Sequence, residues 1–181
     1  MKRQHTLIVM VEDHPGVLNR VVSLLRRRSF NIDSITVGHS EQPGVSRMTI
    51  VVKGTDADIE QAGKQLYKLM EVLKVIDLTD QAVVAHEMAI VKVAAKAQQR
   101  QEVLLIAQMF NGRVLDASPN TIMIEATGTV EQIESLLGML RSFGIRELAR
   151  TGAIAMTKGS GIITSKGLAG TDQFAASTAA D

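Results

Sequence analysis

Residues 6–25, TLIVMVEDHPGVLNRVVSLL, decide the fold because one hydrophobic pattern gives way to another at their centre. Residues 6–12 are a short apolar run rich in Ile and Val, which is typical of a strand buried on both faces. After Pro15 the apolar residues recur at helical spacing, with polar residues between them. These apolar positions are Val17, Leu18, Val21, Val22 and Leu25. The stretch therefore predicts a strand, a tight turn and an amphipathic helix that ends at Ser29.

The residues that follow predict two further strands, a second helix and a fourth strand. Residues 30–38 alternate apolar and polar side chains, as a half-solvated strand does, and 46–53 are rich in β-branched residues. Thr55 and the acidic residues after it predict a helix start. The apolar stripe of that helix is Ile59, Ala62, Gly63, Leu66, Leu69 and Met70. Residues 72–78 close a β-α-β-β-α-β order, which is the ferredoxin-like arrangement.

The same order recurs in the second half of the chain. Residues 87–95 have the pattern of a strand, the helix after it ends at Asn111-Gly112, and 113–117 and 121–126 are the next strands. A capping box at 129–132 predicts the second helix, and 145–156 contains the last strand. We therefore expect an α+β chain of two tandem ferredoxin-like βαββαβ domains. They span 4–78 and 82–158, and a Gly-, Ser-, Thr- and Ala-rich segment at 159–181 predicts a flexible tail.

The composition excludes several classes of function. Twenty basic against nineteen acidic residues give a formal charge of +1, so no strong electrostatic footprint favours nucleic acid or a membrane surface. Cysteine is absent, which excludes disulfides and thiolate chemistry. No apolar run approaches the roughly 18 residues that span a bilayer, and the start of the chain makes a poor signal peptide. We expect a soluble, cytoplasmic protein that binds neither nucleic acid nor membrane.

The turn Asp13-His14-Pro15-Gly16 carries the functional prediction. Pro15 suits a first helical turn, with Asp13 or His14 as the cap residue. Gly16 has no side chain, so a ligand can approach the backbone amides of Gly16, Val17 and Leu18, and the positive end of a helix attracts a carboxylate. Asp13 would accept from an amine, and Asn31 offers both a donor and an acceptor. The simpler alternative is a well-capped turn that binds nothing.

An internal control favours a ligand. The corresponding loop of the second repeat, residues 96–101, contains neither glycine nor proline. If both repeats share one fold, the fold does not require Pro-Gly at this position. We therefore predict a binding role in the first copy and a different role in the second.

Other candidate sites have simpler explanations. Arg26, Arg27 and Arg28 form the densest charge run, and a solvated helix end explains them better than RNA contact, because RNA-binding modules of this fold stack bases on aromatic residues. The four histidines lack metal-type spacing. Asn31 and Arg47 could stand for the amide and arginine of a small phosphatase, although a structural role for Arg47 is the stronger interpretation. No nucleophile, base and orienting group can be assembled, so no catalytic residue is predicted.

Three stretches of the first half resemble the ACT domain of the regulatory small subunit of acetohydroxyacid synthase (acetolactate synthase). They are residues 12–18 (EDHPGVL), 30–37 (FNIDSITV) and 46–50 (SRMTI). Residues 87–93 and 143–152 resemble the C-terminal domain of that subunit. The Pro-Gly turn alone would indicate only some ACT domain, whereas 46–50 and the Arg150-Thr151-Gly152 strand make the resemblance more specific. It runs from about residue 4 to residue 159.

The resemblance implies a homodimer that binds a branched-chain amino acid (valine, leucine or isoleucine), usually valine, between protomers. The ligand contacts would be Asp13, His14, Pro15, Gly16, Val17 and Leu18 of one protomer with Asn31 and Ile32 of its partner. The chain itself would be non-catalytic and would hold no cofactor. Its partner would be a separate catalytic large subunit with thiamine diphosphate, Mg and FAD, which it activates and makes sensitive to feedback inhibition.

One departure from the family is Asp13, because some members carry asparagine there. An acid would strengthen contact with an ammonium group or repel a nearby carboxylate. The alternative function is an ACT-domain sensor that regulates a different enzyme or a transcription apparatus. A stand-alone small hydrolase is the remaining rival.

Overall fold

The computed structural model describes residues 2–163. Its helices and strands are β1 (Arg3–Glu12), α1 (Val17–Arg27), β2 (Asn31–His39), β3 (Val45–Gly54), α2 (Asp56–Leu66), β4 (Val72–Asp77), β5 (Val83–Ala94), α3 (Arg100–Met109), β6 (Arg113–Ser118), β7 (Thr121–Gly128), α4 (Val130–Leu140), β8 (Ile145–Arg150) and β9 (Ile154–Thr157). Short 3-10 turns at Ala97–Gln99 and Arg141–Phe143 adjoin α3 and α4.

The chain forms two antiparallel sheets of the same topology. The first has the order β2-β3-β1-β4, and the second has the order β6-β7-β5-β8, with β9 added beside β5. Both sheets share their irregularities: the register shifts between Ile32 and Ser34 in β2 and between Val114 and Asp116 in the equivalent strand β6. The predicted α+β class, with two tandem ferredoxin-like repeats, is confirmed.

The central strand of the first repeat, β1, is buried on both faces, as the apolar run of 6–12 predicts. One face of β1 packs with α1 and α2 in a core built from aliphatic side chains, among them Leu7, Val9 and Leu25. Ile8 and Met10, which alternate with those residues and point to the other face, are also fully buried. Edge strand β2 is more exposed along its length than β1.

The second repeat has its own core, in which β5 and β7 face α3 and α4. The buried residues of this core include Val91, Val93, Ile122, Ile124, Leu136, Leu137 and Leu140. Each aliphatic side chain that is fully removed from water stabilises the fold by roughly 1.5–3 kcal/mol before entropic costs are subtracted. Both cores are aliphatic at their centre, and the aromatic residues Phe30, Tyr67, Phe110 and Phe143 pack against them while partly buried.

The caps that were predicted for the second helix of each repeat are both present. Thr55 and Asp58 exchange side-chain and backbone hydrogen bonds at the start of α2, and Thr129 and Gln132 do the same at the start of α4. Each box satisfies two amides that a helix start leaves without an intrahelical acceptor.

Two predicted elements differ from the structure. The stripe of α2 was expected to continue through Leu69 and Met70, but the helix ends at Leu66. The Tyr67 hydroxyl accepts from the Val75 amide at 3.0 Å and donates to the Val75 carbonyl at 3.3 Å, which ties the chain back to β4. The predicted last strand, 145–156, is interrupted at 151–153 and forms β8 and β9.

The chain also divides into two compact units. Their described residues are 2–84 with 155–163, and 85–154. Residues 155–158, which were predicted to end the second domain, group with the first unit because Arg47 donates to the Ala155 carbonyl at 2.8 Å and the Lys158 amide donates to the Ala82 carbonyl at 2.8 Å. Of the predicted tail, 159–163 contain no helix or strand and Ile163 is buried, and 164–181 lie outside the described residues.

The predicted linker at 79–81 is fastened to the first unit. Arg3 donates to both carboxylate oxygens of Asp80 at 2.7 Å, and Thr79 accepts from the Thr6 amide at 3.2 Å. Buried His5 lies 3.2 Å from both Asp77 and Thr79. None of the helices within 2–163 is both long and apolar enough to cross a lipid bilayer.

Candidate functional site

The turn between β1 and α1 begins where β1 leaves the sheet at Glu12. The Asp13 amide donates to the Gly44 carbonyl at 2.9 Å, so the turn starts against the β2–β3 hairpin. Gly16 is the N-cap residue, with φ of 93° and ψ of −16° and no side-chain cap. The prediction that Pro15 lies in the first helical turn and that Asp13 or His14 caps it is therefore wrong. A left-handed backbone favours glycine at this position, and the two side chains have other partners.

The start of α1 presents free space and backbone donors. The Arg20 amide donates to the Gly16 carbonyl at 3.1 Å, which is the first hydrogen bond of the helix. The amides of Val17, Leu18 and Asn19 therefore precede the intrahelical ladder. A Cβ built on Gly16 would meet no atom within 4 Å. The turn consequently has room for a small anion beside the positive end of a helix.

Asp13 is held at the edge of this space by two neighbouring strands. Its Oδ1 accepts from the hydroxyl of Ser46, on β3, at 3.1 Å. Its Oδ2 lies 2.9 Å from Nδ1 of His39, the last residue of β2. The Asp13 side chain is 38% exposed, so a solvent molecule or ligand can still reach the carboxylate. The carboxylate is thus oriented, and it remains accessible.

The remaining side chains of the turn have distinct surroundings. His14 pairs with Glu12 at 3.1 Å, and both side chains are half exposed. Val17 is buried in the core, whereas Leu18 is 44% exposed. On the side of β4, the Glu12 amide donates to the Glu71 carbonyl at 2.9 Å.

An ion pair fixes α1 to the start of β4 beside the turn. Arg20, in the first part of α1, bonds to the carboxylate of Glu71, whose side chain is only 10% exposed. Sequence reasoning missed Glu71, Arg20, Ser46 and His39 as neighbours of the turn. Of these four residues, only Ser46 lies in a stretch that the sequence analysis singled out, because it belongs to the motif at 46–50.

Asn31 and Ile32 lie at the far end of the sheet from the turn in the same protomer. Asn31 pairs with Lys53, and Lys53 pairs with Gln4 at the start of β1. Gln4 is eight positions from Glu12, which corresponds to roughly 25 Å along a strand. The side-chain amide of Asn31 donates to the Asp33 carboxylate at 3.3 Å. One copy of the chain therefore does not bring all predicted ligand residues together.

The suggested phosphatase pair is also kept apart. Arg47 pairs across β3 and β2 with Gly38, near the opposite end of β2 from Asn31. The Arg47 guanidinium is partly buried, which lowers its pKa, and it donates to the Ala155 carbonyl. Its structural interpretation is supported. Within residues 2–163, no three histidine, aspartate or glutamate side chains are grouped so as to hold a metal ion.

The equivalent turn of the second repeat has another construction. Residues Ala97–Gln99 form a 3-10 turn that leads directly into α3, with Gln99 at φ of −96°. Arg100 bonds to the carbonyls of Ser118 and Pro119 at 2.6 and 3.3 Å. The first repeat thus has a glycine turn with free space beside it, and the second has a 3-10 turn followed by an arginine that bonds to the 118–119 carbonyls.

Two family models match the two halves of the chain. Residues 7–74 match the model described as an AHAS small subunit-like ACT domain, and residues 86–159 match the model described as the small subunit of acetolactate synthase.

Whole-chain relatives agree with these matches. The probable acetolactate synthase small subunit of Methanothermobacter thermautotrophicus is 49% identical, covering 86% of this chain and 94% of the relative. The acetolactate synthase small subunit of Mycobacterium bovis is 46% identical, covering 91% of this chain and 98% of the relative.

A solved structure has the same arrangement. The crystal structure of the acetolactate synthase small subunit from Thermotoga maritima is similar to this chain with a TM-score of 0.82 and 41% sequence identity, covering 87% of this chain and 99% of the other. The first repeat is therefore an ACT domain, and a small subunit implies a catalytic large subunit as its partner. The chain belongs to the family of acetolactate synthase small subunits, the regulatory subunits of an enzyme of branched-chain amino acid biosynthesis.

Proposed function

We propose that this chain activates the catalytic large subunit of acetolactate synthase and makes it sensitive to feedback inhibition by valine. The observation that carries the proposal is the Gly16 turn, where an open helix start lies beside an oriented carboxylate. These two features match the two charged groups of an amino acid.

The carboxylate of valine would bind at the start of α1. The amides of Val17 and Leu18 precede the first intrahelical hydrogen bond, and the helix dipole favours negative charge there. A glycine at position 16 leaves the approach open, since even one added carbon would meet nothing within 4 Å. Any larger side chain would project into the space that the ligand needs.

The ammonium group of valine would bind the Asp13 carboxylate. Ser46 orients Oδ1, which leaves Oδ2 toward the more exposed side, where His39 lies. The acid at position 13 therefore favours an amine ligand over a simple carboxylic acid, because the ammonium offsets the repulsion between two carboxylates.

A second protomer would complete the site. Strand β2 is an edge strand, so a second copy can pair with it. In an antiparallel β2–β2 pair the Asn31 end of one strand lies beside the His39 end of the other. Such a two-fold pair would bring Asn31 and Ile32 of one protomer toward the turn of its partner, across the roughly 25 Å that separates them within one chain.

Regulation then follows from coupling between this site and the large subunit. Valine bound between protomers would bias the dimer toward one arrangement, and the catalytic subunit would respond through a coupling free energy of about 1–3 kcal/mol. Thiamine diphosphate, Mg and FAD would belong to the large subunit, where the chemistry takes place.

The test is the substitution Gly16→Asp in the full chain, assayed with the large subunit. The new carboxylate would lie beside the position of the ligand carboxylate, so valine inhibition is lost while activation is retained. Gln98→Asp, in the exposed loop of the second repeat, is the matched control and keeps valine inhibition. A Gly16→Asp complex as sensitive to valine as the parent would contradict the proposed site. Sedimentation that shows a strict monomer with and without valine would contradict the two-protomer arrangement.

A further inference from the structure

The two repeats differ at the corner where the first helix of each repeat ends beside the start of its second helix. After α1 the chain passes through Ser29, at φ of 58°, to Phe30, whose amide donates to the carbonyl five residues earlier at 3.2 Å. After α3 it passes in the same way through Asn111, at φ of 53°, to Gly112, whose amide donates to the carbonyl five residues earlier at 2.7 Å. Phe30 and Gly112 therefore occupy equivalent positions.

Phe30 fills this corner in the first repeat. Its ring packs against the core of that repeat, and a Cβ built on Gly54 would meet the ring at 3.6 Å and Ile59 at 3.4 Å. Gly54 directly precedes the N-cap residue of α2, just as Gly128 precedes that of α4. The corresponding corner of the second repeat therefore lies beside Gly128 and Ile133.

The second repeat has a cavity at this corner. It measures about 200 Å³ and lies between the end of α3, the end of β7 and the start of α4. Gly112 contributes no side chain, and a Cβ built there would meet the Ala107 carbonyl oxygen at 3.0 Å, so a ring does not fit at this position unless the backbone moves. On β7, Ala126 stands where β3 has the larger Val52. The second repeat thus leaves unfilled a space that the first repeat fills with its own side chains.

The rim of the cavity is apolar where the first repeat is polar or cationic. Met109, which lines the cavity, is 63% exposed, and Leu105, one turn earlier on α3, is 57% exposed. The equivalent residues of α1 are Arg27 and Ser23. None of the described residues that line the cavity is charged. A concave site with an exposed apolar rim is typical of a protein contact, because charged residues are depleted at the centre of interfaces.

We propose that this cavity receives an aromatic side chain of the catalytic large subunit, so that the partner supplies the ring that Phe30 supplies in the first repeat. The inference goes beyond the valine site, and it rests on the proposed function only in taking the large subunit as the partner. Asn111 and Thr127 also line the cavity and offer hydrogen-bond partners for a tyrosine hydroxyl or a tryptophan N–H.

Other occupants fit the cavity and its rim less well. Within residues 2–163, every aromatic side chain packs against the core of its own repeat, so that part of a second copy has no free ring to offer. A small molecule would fill the cavity but would leave Leu105 and Met109 in contact with water. A large subunit can cover the cavity and both rim residues together.

The experiment is a calorimetric titration of the large subunit with the full chain. Ala126→Leu fills the cavity from β7, and Met109→Arg places at the rim the residue that α1 has at the equivalent position. Because aromatic side chains seated in pockets are frequent hot spots of interfaces, each variant should raise the Kd for the large subunit about tenfold or more. The free energy of unfolding and the Kd for valine should stay close to those of the parent. Met156→Arg changes a methionine of β9 that is 65% exposed, and this matched control should keep the parent Kd.

Cross-linking identifies the ring itself. A photo-cross-linking residue at exposed Gln101, one turn before Leu105, captures the segment of the large subunit that lies over the cavity. Each aromatic residue of that segment is then replaced by alanine. One replacement should weaken the parent complex about tenfold and should have little further effect on the complex of Ala126→Leu, since the two changes remove the same contact.

Several outcomes would overturn the inference. A parent-like Kd in both Met109→Arg and Ala126→Leu would do so, as would an equal loss in Met156→Arg; if Ala126→Leu does not fold, the exposed Met109→Arg decides. Weaker self-association of Ala126→Leu in sedimentation, with an unchanged Kd for the large subunit, would assign the cavity to a second copy. A Phe174→Ala variant that reproduced the effect of Ala126→Leu, without adding to it, would assign the cavity to the chain's own Phe174. A parent chain that does not bind the large subunit contradicts the proposed function itself, and the inference falls with it.

Discussion

In the first repeat β1 enters α1 through an open turn at Gly16, whose φ is 93°, whereas in the second repeat β5 enters α3 through a 3-10 turn at Ala97–Gln99. The connection is topologically the same in both sheets. Arg100 fastens the second turn to the Ser118 carbonyl, but nothing lies within 4 Å of a Cβ built on Gly16. The fold therefore does not require the glycine turn. The difference is free space at the helix start of the first copy, which is where we propose that the ligand binds.

The largest effect on stability is expected for Gly16→Val. A β-branched residue is strained in the left-handed region, so we expect the free energy of unfolding to fall by about 2 kcal/mol in urea denaturation. Gln99→Val, at φ of −96°, is the matched change in the second repeat and should cost about 0.5 kcal/mol or less. Asparagine tolerates the left-handed region better, so Gly16→Asn should fall between them. If the two valine substitutions lowered the free energy of unfolding equally, the two turns would not differ in their requirement for glycine.

A smaller effect is expected for Arg100→Ala. Loss of its hydrogen bonds to the carbonyls of Ser118 and Pro119 should lower the free energy of unfolding by about 1 kcal/mol, because a partly exposed carbonyl can bond to water instead. Valine binding measured by calorimetry should be unchanged. Arg27→Ala, at the exposed end of α1, is the control and should cost about 0.5 kcal/mol. Loss of valine binding in Arg100→Ala would show that the second turn has a ligand role after all.

The smallest expected effect is a difference in pH dependence between the capping boxes of α2 and α4. At the start of α2 the Thr55 amide donates to the Asp58 carboxylate, which lowers the pKa of that carboxyl group. A carboxyl group with a lowered pKa in the folded state stabilises the fold above its unfolded pKa, and this contribution disappears as the pH falls through the folded value. The capping box at the start of α4 uses Gln132, which does not titrate. Glu131 in the same turn does titrate, because hydrogen bonds with its own backbone amide and with Thr129 lower the pKa of its carboxyl group.

Amide hydrogen exchange, corrected for the intrinsic pH dependence, measures this difference. In a chain that carries Glu131→Gln, which removes the titrating group of the α4 start, protection of the first turn of α2 should decrease between pH 7 and pH 3 more than that of α4. Adding Asp58→Asn to that chain should make the two helices respond alike. An unchanged difference in Asp58→Asn would mean that the capping carboxylate is not its source.

The two repeats also show which structural features can be read from a sequence. Thr55-x-x-Asp58 and Thr129-x-x-Gln132 were predicted as helix starts, because a capping box depends on side chains only three residues apart. The end of α2 could not be predicted in the same way. Leu69 and Met70 continue its apolar period, but the helix ends at Leu66, and its C-cap residue Tyr67 bonds to Val75 in the next strand.

At the candidate site, too, local sequence patterns predicted some features and missed those that depend on distant residues. Asp13, Gly16 and the helix after them form one local motif, so the sequence identified the turn. The cap was assigned to the wrong residue because the helix begins only at Val17, after Gly16 in the left-handed region. The Asp13 carboxylate instead accepts from Ser46, on a strand 33 residues away, with His39 on the other side. Once that carboxylate is used by the sheet, it does not cap the helix. No local pattern marks His39 as a neighbour of Asp13.

The sequence by itself determined the order of strands and helices, the tandem repeat and the position of the open turn, because each depends on spacing over a few residues. Tertiary structure decided what surrounds the turn. The antiparallel register places His39 and Ser46 beside Asp13, and it places Asn31 at the far end of the sheet. Such neighbours depend on contacts between strands that are distant in sequence, and only the folded sheet brings them together.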